Sequence, residues 1–203
     1  MTFAKRLTDL ICAALLALVL VPLGLLIAAV LLINEGRPVF YLSERMKTAD
    51  QGFLLWKFRT MRVAEVDSGV SGGDKTSRIT PVGALLRRHR LDEIPQLWNV
   101  FRGDISFVGP RPPLRRYVEK FPDLYQRVLQ SRPGITGMAT LVFHQTEERL
   151  LAPCTTPEET EAVYIRRCVP RKARLDLIYA RRRTVCSDLK LMLATVFRRI
   201  PLH

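Results

Sequence analysis

The sequence has no Cys-x-x-Cys pair and no histidine cluster: its cysteines are Cys12, Cys154, Cys168 and Cys186, its histidines His89, His144 and His203. That spacing excludes the common structural zinc modules. No G-x-x-x-x-G-K-[ST] loop is present, no G-x-G-x-x-G follows a strand-like run, and no G-x-S-x-G occurs. A P-loop, a Rossmann dinucleotide turn and a nucleophile elbow are therefore absent. There is no zinc-finger spacing and no aromatic pair of an RNA-binding sheet, so nucleic acid is not the expected partner. Internal repeats and heptad runs are also missing. Acids are scarce, with 19 Asp and Glu against 32 Lys and Arg, a net charge of +13. That excess calls for a polyanionic partner, such as an anionic membrane surface or a phosphorylated substrate. The remaining composition reads as cytosolic, so reduced thiols are expected.

What the sequence does have is one long apolar run. Leu10 to Ile33 gives 24 consecutive positions without Asp, Glu, Lys, Arg or His. It is long for a signal peptide and ends in no small-x-small cleavage site. As a helix it would rise about 36 Å, enough to cross the roughly 30 Å hydrocarbon core. Pro22 divides it into arms that each reach only about 18 Å, and proline makes a bend available there. Cations flank both ends, Lys5 and Arg6 before the run and Arg37, Arg45 and Lys47 after it. A helix that enters and turns back would satisfy both flanks at once. A single span and a re-entrant element both fit the pattern, as does a buried core hairpin of a soluble protein.

A boundary near Asn34 separates this segment, residues 1–33, from a second domain, residues 34–203. Val39 to Leu42 and Phe53 to Phe58 read as strands of a hairpin. Asp67 to Ser77, with Gly69, Gly72 and Gly73, reads as a surface loop. Thr80-Pro81 opens a helix through Arg90, with Thr80 as cap and Pro81 at its first position. Asp92 is expected at the N-cap of the next helix, which has Pro95 in its first turn and ends at Gly103. Ile105 to Val108 is extended, Tyr117 to Gln130 is helical with a break near Pro122, and Arg132 to Gly137 is a tight turn. Further helices are expected over Glu147 to Leu150, Pro157 to Arg167, Ala173 to Arg183 and Val185 to Arg198. The cations Arg166, Arg167, Arg171, Lys172, Arg174, Arg181, Arg182 and Arg183 suit phosphates or anionic phospholipid headgroups, at about 1 kcal/mol each near a membrane surface.

Asp92-Glu93 is the pair with chemistry to offer. It follows Arg87, Arg88, His89 and Arg90, and neighbouring cations favour ionised carboxylates. An ionised Asp can attack phosphorus, and an adjacent Glu can hold Mg²⁺ against a diphosphate. A cap plus a first-turn acid explains the same two residues without chemistry. Successive residues on a helix point about 100° apart, so the two are not expected to share one face.

Several ordered blocks resemble one family, the bacterial sugar transferases, and within it the small monotopic phosphoglycosyl transferases. They are Lys57-Phe58-Arg59-Thr60-Met61, Leu91-Asp92-Glu93-Ile94-Pro95-Gln96-Leu97-Trp98-Asn99-Val100, Gly103 to Pro112, and Arg132-Pro133-Gly134-Ile135-Thr136-Gly137. Lys5 to Asp9 with the apolar run is similar too, so the resemblance covers Lys5 to about Thr195. It implies an α+β chain: a re-entrant membrane helix bent at Pro22, then a compact, mostly helical catalytic domain with a small β-hairpin and surface amphipathic helices. It also implies residence on the cytoplasmic face of a bacterial inner membrane.

The implied reaction moves a phosphosugar from a nucleotide diphospho-sugar, with uridine the base indicated, to polyprenyl (undecaprenyl) phosphate. Asp92 is the implied nucleophile, forming a covalent phosphosugar-aspartate, and Glu93 the carboxylate associated with Mg²⁺. Lys57, Arg59, Arg78, Arg111 and Arg132 are candidates for the substrate's anionic groups; each arginine could instead fix a loop through backbone carbonyls. A homodimer is left open, and a non-catalytic membrane adaptor on the same scaffold is the alternative. The sequence departs from the family pattern at His89-Arg90, where a small hydroxyl residue is usual, at Met46, where glycine is usual, and at Pro113-Leu114-Arg115-Arg116.

Overall fold

A computed structural model describes residues 2–62 and 78–197. The loop expected over Asp67 to Ser77 lies outside the described residues. Helix α1 spans Phe3–Glu35, capped by the Thr2 hydroxyl and closed by Gly36 at φ 70°. It runs unbroken through Pro22 and, among the described residues, is the one helix long and apolar enough to cross a membrane. Its buried positions fall in two groups, Lys5, Asp9 and Ala13 towards one end and Gly24, Ile27 and Leu31 towards the other. Leu15, Leu18, Val19, Val21, Leu25 and Leu26 point outward, each more than half exposed.

Both ends of α1 are fastened to the rest of the chain. Near the N-terminus, Arg6 donates to the Val100 and Phe101 carbonyls (2.7 and 2.8 Å), and Lys5 pairs with Asp188 at 2.6 Å. Near the C-terminus, the Arg59 guanidinium donates to the carbonyls of Glu35 and Gly36 (2.8 and 3.0 Å), while Ile27 and Leu31 pack with Phe58 and Leu86.

Strands β1 (Phe40–Met46) and β2 (Gly52–Phe58) form the expected antiparallel hairpin, with Phe40 opposite Phe58. β1 is longer than its apolar start suggested, because Ser43-Glu44-Arg45 continue the pairing. Helix α2 (Pro81–Arg88) starts as expected: the Thr80 hydroxyl accepts from the Gly83 amide at 2.9 Å and Pro81 stands at the first position. Helix α3 (Gln96–Arg102) ends at Gly103, in the left-handed region at φ 77°. Asn99 on α3 is wholly buried. It accepts from the Trp56 amide (3.0 Å) and donates to the Leu54 carbonyl (2.8 Å), bolting α3 to β2.

The stretch read as a tight turn, Arg132 to Gly137, contains strand β4 (Gly134–Thr136), which pairs in parallel with β3 (Ser106–Val108). A three-residue strand between prolines and glycines carries no local periodicity; only its distant partner reveals it. A Cβ at Gly134 would stand 2.2 Å from the Gly109 amide nitrogen, so the close approach of the two strands requires glycine. Helices α4 (Arg115–Lys120) and α5 (Pro122–Val128) form the crossover, broken where Pro122 stands. Helix α6 (Met138–Leu151) begins well before the expected Glu147. It is followed by α7 (Pro157–Val163), a π-helical turn (Tyr164–Cys168), α8 (Val169–Arg182) and α9 (Val185–Val196). The domain is thus mostly helical with one small antiparallel hairpin and a short parallel pair.

Candidate active site

Asp92 and Glu93 do not start a helix in the expected way. They lie on a 3₁₀ turn (Leu91–Glu93) entered through Arg90 in the left-handed region, φ 56°, and α3 begins only at Gln96 with Pro95 at its cap. Asp92 makes no cap bond. The expectation that the two acids face apart also fails in its consequence, because both reach one cation. Lys57 Nζ, brought in by β2, is 2.7 Å from Glu93 Oε1 and 3.9 Å from Asp92 Oδ2. Asp92 is only 9% exposed.

The environment drives the two carboxyls in opposite directions. Burial, helped by the neighbouring Glu93 charge, raises Asp92 above the usual carboxylate range against the pull of Lys57 and Arg87. Burial also pushes Glu93 upward, but the charges of Lys57 and Arg111, the Lys57 hydrogen bond and Arg90 together outweigh it and hold Glu93 below that range. Such a split is the pattern of paired acids that take different tasks: Glu93 is held towards its ionised form and Asp92 towards its neutral one.

A narrow cleft beside the pair is lined by Lys57, Glu93, Gln96, Arg45 and Arg111. It shares Arg45, Arg111 and Pro112 with the lining of a cavity of about 650 Å³ that extends beneath α6 and α8, and Asp92 lines neither space. Arg45 Nη1 is buried with no hydrogen-bond partner among the described residues. Burial, then the nearby charge of Arg111, lowers the pKa of Arg45. Two guanidiniums lining one cleft, one of them with a donor unspent, are suited to an anion.

Of the residues singled out in the sequence, Lys57, Asp92, Glu93 and Arg111 come together. Arg59 serves the end of α1 instead, through the two carbonyls named above. Arg78 donates to the Arg62 carbonyl at 3.2 Å. Arg132 lies towards Gly103 and Arg6. None of these three lines the cavity or the cleft. Asp176 escaped the sequence reading, and Arg45 and Arg90 figure there only as neighbouring charges. Lys172, read there with the cations suited to phosphates or lipid headgroups, turns inward and pairs with Glu147 at 2.8 Å. The i, i+4 spacing of Lys172 and Asp176, which places them on one face of α8, was the only signal available. Arg166, Arg167, Arg171, Arg174, Arg181 and Arg182 do remain exposed.

For a divalent cation, the donor set fits Mg²⁺. That ion takes one or two carboxylates and completes its shell with substrate phosphates and water, and the ionised Glu93 beside Asp92 offers such a pair. It needs no all-protein cage, and no group of three or more His, Cys, Asp or Glu stands together among the described residues.

Deep in the cavity, Asp176 accepts from the Ala139 amide at 3.3 Å. Burial pushes its carboxyl up to about 7, with the amide and Lys172 resisting. The fold therefore holds a proton that the unfolded chain releases near 3.8. Stability falls as pH rises through that window and stays reduced above it. Asp176→Asn, which keeps the acceptor oxygen, is expected to raise the melting temperature at pH 8 by at least about 3 °C. At pH 4 the two proteins should melt together. An equal shift at both pH values would show that charge burial is not the cause.

A buried acid pair beside an arginine-lined cleft, together with one long outward-facing apolar helix, is an arrangement consistent with a membrane-associated protein. The chain belongs to the bacterial sugar transferase family, whose model matches residues 1–200. It is 33% identical over 198 residues to a UDP-glucose:undecaprenyl-phosphate glucose-1-phosphate transferase of Klebsiella pneumoniae, covering 96% of this chain and 39% of that protein. It is 34% identical over 146 residues to a UDP-N-acetylgalactosamine-undecaprenyl-phosphate N-acetylgalactosaminephosphotransferase of Aeromonas hydrophila, covering 69% of this chain and 34% of that one. It is 37% identical over 151 residues to the exopolysaccharide production protein ExoY of Rhizobium meliloti, covering 66% and 67%. The chain thus spans about two fifths of the Klebsiella relative's length.

Proposed function

We propose that this protein transfers a phosphosugar from a uridine diphospho-sugar to undecaprenyl phosphate by two displacements at one phosphorus. Asp92 supplies a carboxylate oxygen that attacks the sugar-bearing phosphorus. The phosphoanhydride bond breaks, and uridine monophosphate leaves with the electron pair. An oxygen of the lipid phosphate then attacks the same phosphorus, releasing the Asp92 carboxylate and giving undecaprenyl diphospho-sugar. Lys57 orients both acids, and Arg45 and Arg111 hold phosphate oxygens. Glu93, with Asp92, would hold Mg²⁺, whose contribution is to neutralise charge on the diphosphate. The observation that carries this reading is the meeting of the two acids on one lysine, with Glu93 and Lys57 lining a cleft that also holds Arg45 and Arg111.

The same proposal places α1 in the cytoplasmic leaflet as a re-entrant element with both ends on the catalytic side. Its support is the fastening of both helix ends to one globular domain, through Arg6 and Lys5 at one end and Arg59 at the other. A crossing helix would carry one of those ends away. A phosphate at the membrane surface and a sugar nucleotide from water could then meet at Asp92, with exposed α9 side chains such as Leu189 and Leu193 and the α8 arginines resting on anionic lipid.

The test uses the purified full chain in nanodiscs with Mg²⁺ and a panel of uridine diphospho-sugars. With undecaprenyl phosphate present, steady release of uridine monophosphate is expected. With the lipid withheld, intact mass should increase by one phosphosugar, mapped to Asp92. Neither release nor adduct with any donor would overturn the proposal.

A further inference from the structure

The cavity beneath α6 and α8 is larger than a diphosphate requires, and its lining is mixed in chemistry. Part of it is cationic, with Arg45, Arg90 and Arg111, and Arg45 and Arg111 also line the cleft beside Glu93 and Lys57. Another part is a polar cluster of mixed donors and acceptors. Lys172 Nζ lies 2.8 and 3.2 Å from the two Glu147 oxygens and 3.5 Å from the Tyr164 hydroxyl. One turn along α8, Asp176 accepts from the Ala139 amide at 3.3 Å. Thr140 and His144 complete that wall. Nothing in the two-displacement chemistry uses these groups, yet they keep ionisable side chains half-buried, which costs stability unless something is gained.

From this pairing of arginines with a polar cluster in one cavity we infer that the Glu147–Lys172–Asp176 cluster is the subsite that reads the hydroxyl or acylamino groups of the transferred glycosyl unit; the inference rests on the function proposed above. The ligand must present an anionic end to the arginines and a neutral, hydrogen-bonding end to the acids. A phosphosugar has that shape of charge. Carboxylates accept from sugar hydroxyls, while the Lys172 ammonium donates to ring or acyl oxygens.

The nucleoside suits this cluster less well. The two rings there are already engaged, so neither offers an open face on which a uracil could stack. Lys172 sits 5.2 Å from the Tyr164 ring centre and Arg116 sits 5.0 Å from that of Tyr117. The two rings also tilt against each other at 5.3 Å.

Binding is measured by calorimetry in the Asp92→Asn background, so that no turnover intervenes. The probes are uridine diphosphate alone and uridine diphospho-sugars that differ at one hydroxyl or acylamino group. Asp176→Asn and Glu147→Gln are compared with the parent, each with a melting curve to establish folding. The affinity gained by adding the preferred sugar, and the preference among sugars, should fall by about tenfold or more, as for a site that loses a hydrogen-bonding partner to substrate. Affinity for uridine diphosphate alone should change less than about twofold. In the Asp92-competent protein, the same variants should alter the ratio of kcat/KM between donors.

Unchanged sugar preference in both folded variants would overturn the inference. Equal weakening of uridine diphosphate and every sugar derivative would overturn it too, and would give the cluster to the nucleoside. Failure of the underlying reaction looks different: the parent with Asp92 intact would release no uridine monophosphate from any donor.

Discussion

Asp92→Asn is expected to lower uridine monophosphate release and lipid-linked sugar formation together, by at least about a thousandfold, or about 4 kcal/mol of transition-state stabilisation. An amide oxygen is nearly isosteric with the carboxylate but carries no full charge with which to attack phosphorus. The substitution should not harm the fold. Burial, the largest influence on Asp92, disfavours its ionised form, so a neutral side chain is the form that its surroundings favour. The melting temperature should stay level or rise while activity disappears. The adduct seen by intact mass with the wild type should be absent at the same time. If release persists at wild-type rate in a protein that melts normally, Asp92 is not the nucleophile. The pH profile supplies an independent check. The nucleophile must be ionised, so turnover should decline on acidification through a pKa above the ordinary carboxylate range, and earlier than an unperturbed Asp would dictate. Glu93, held low by Lys57 and Arg111 after burial is overcome, should remain charged across that decline.

Much of this was legible in the chain. Thr80-Pro81, Gly103 and Pro122 set helix boundaries by stereochemistry alone, and the structure places boundaries there. The hairpin followed from two apolar runs around a turn. Elements held together by distant partners were not legible. The strand at Gly134–Thr136 exists because Ser106–Val108 lies beside it, and no window of neighbouring residues encodes that. Helix α6 was cut short because Met138 to Gln145 shows little contrast between its faces, and only α8 packing against it settles the matter. At the site, the Asp92-Glu93 block was visible as a motif, but its geometry was not. A left-handed Arg90 and a lysine arriving from a strand 36 residues away in sequence bring both acids to one ammonium. The arginines were the least legible group. A sequence cannot say whether a guanidinium will line a cleft, as at Arg111, or hold a helix end, as at Arg59, since both tasks use the same donors. Arg45 was readable only as a flanking charge, and its unspent Nη1 appears once β1 carries it inward.

Lys5→Met is expected to destabilise the protein by about 3–5 kcal/mol, the usual consequence of removing one partner from a buried ion pair. Lys5 is 5% exposed and lies among groups buried to a similar degree. Its ammonium is 2.6 Å from Asp188 and 3.9 Å from Asp9. Asp188 is further held by the Tyr179 hydroxyl at 2.7 Å, and Asp9 Oδ1 accepts from the Phe107 amide at 3.5 Å, while Asp9 Oδ2 has no hydrogen-bond partner among the described residues. Without the ammonium, two carboxylates face each other in a dry seam where α1, α9 and β3 meet. The cheapest relief is to let the N-terminal end of α1 come away. Denaturant unfolding in detergent should show the loss, and limited proteolysis should cut the freed N-terminal segment. The triple change Lys5→Met, Asp9→Asn, Asp188→Asn should recover most of it, because the cost lies in the stranded charges rather than in the missing lysine stem. A loss under about 1 kcal/mol for Lys5→Met would mean that the seam is open to water. This lysine also bears on the membrane geometry. A helix whose first turn lay across the bilayer could not bring Lys5 to Asp188, so the coupling energy of that pair, measured by a double-mutant cycle in nanodiscs, reports whether both ends of α1 lie on the side where Asp92 works. A coupling of several kcal/mol requires the re-entrant arrangement, and a coupling near zero in the membrane but not in detergent would require a crossing one.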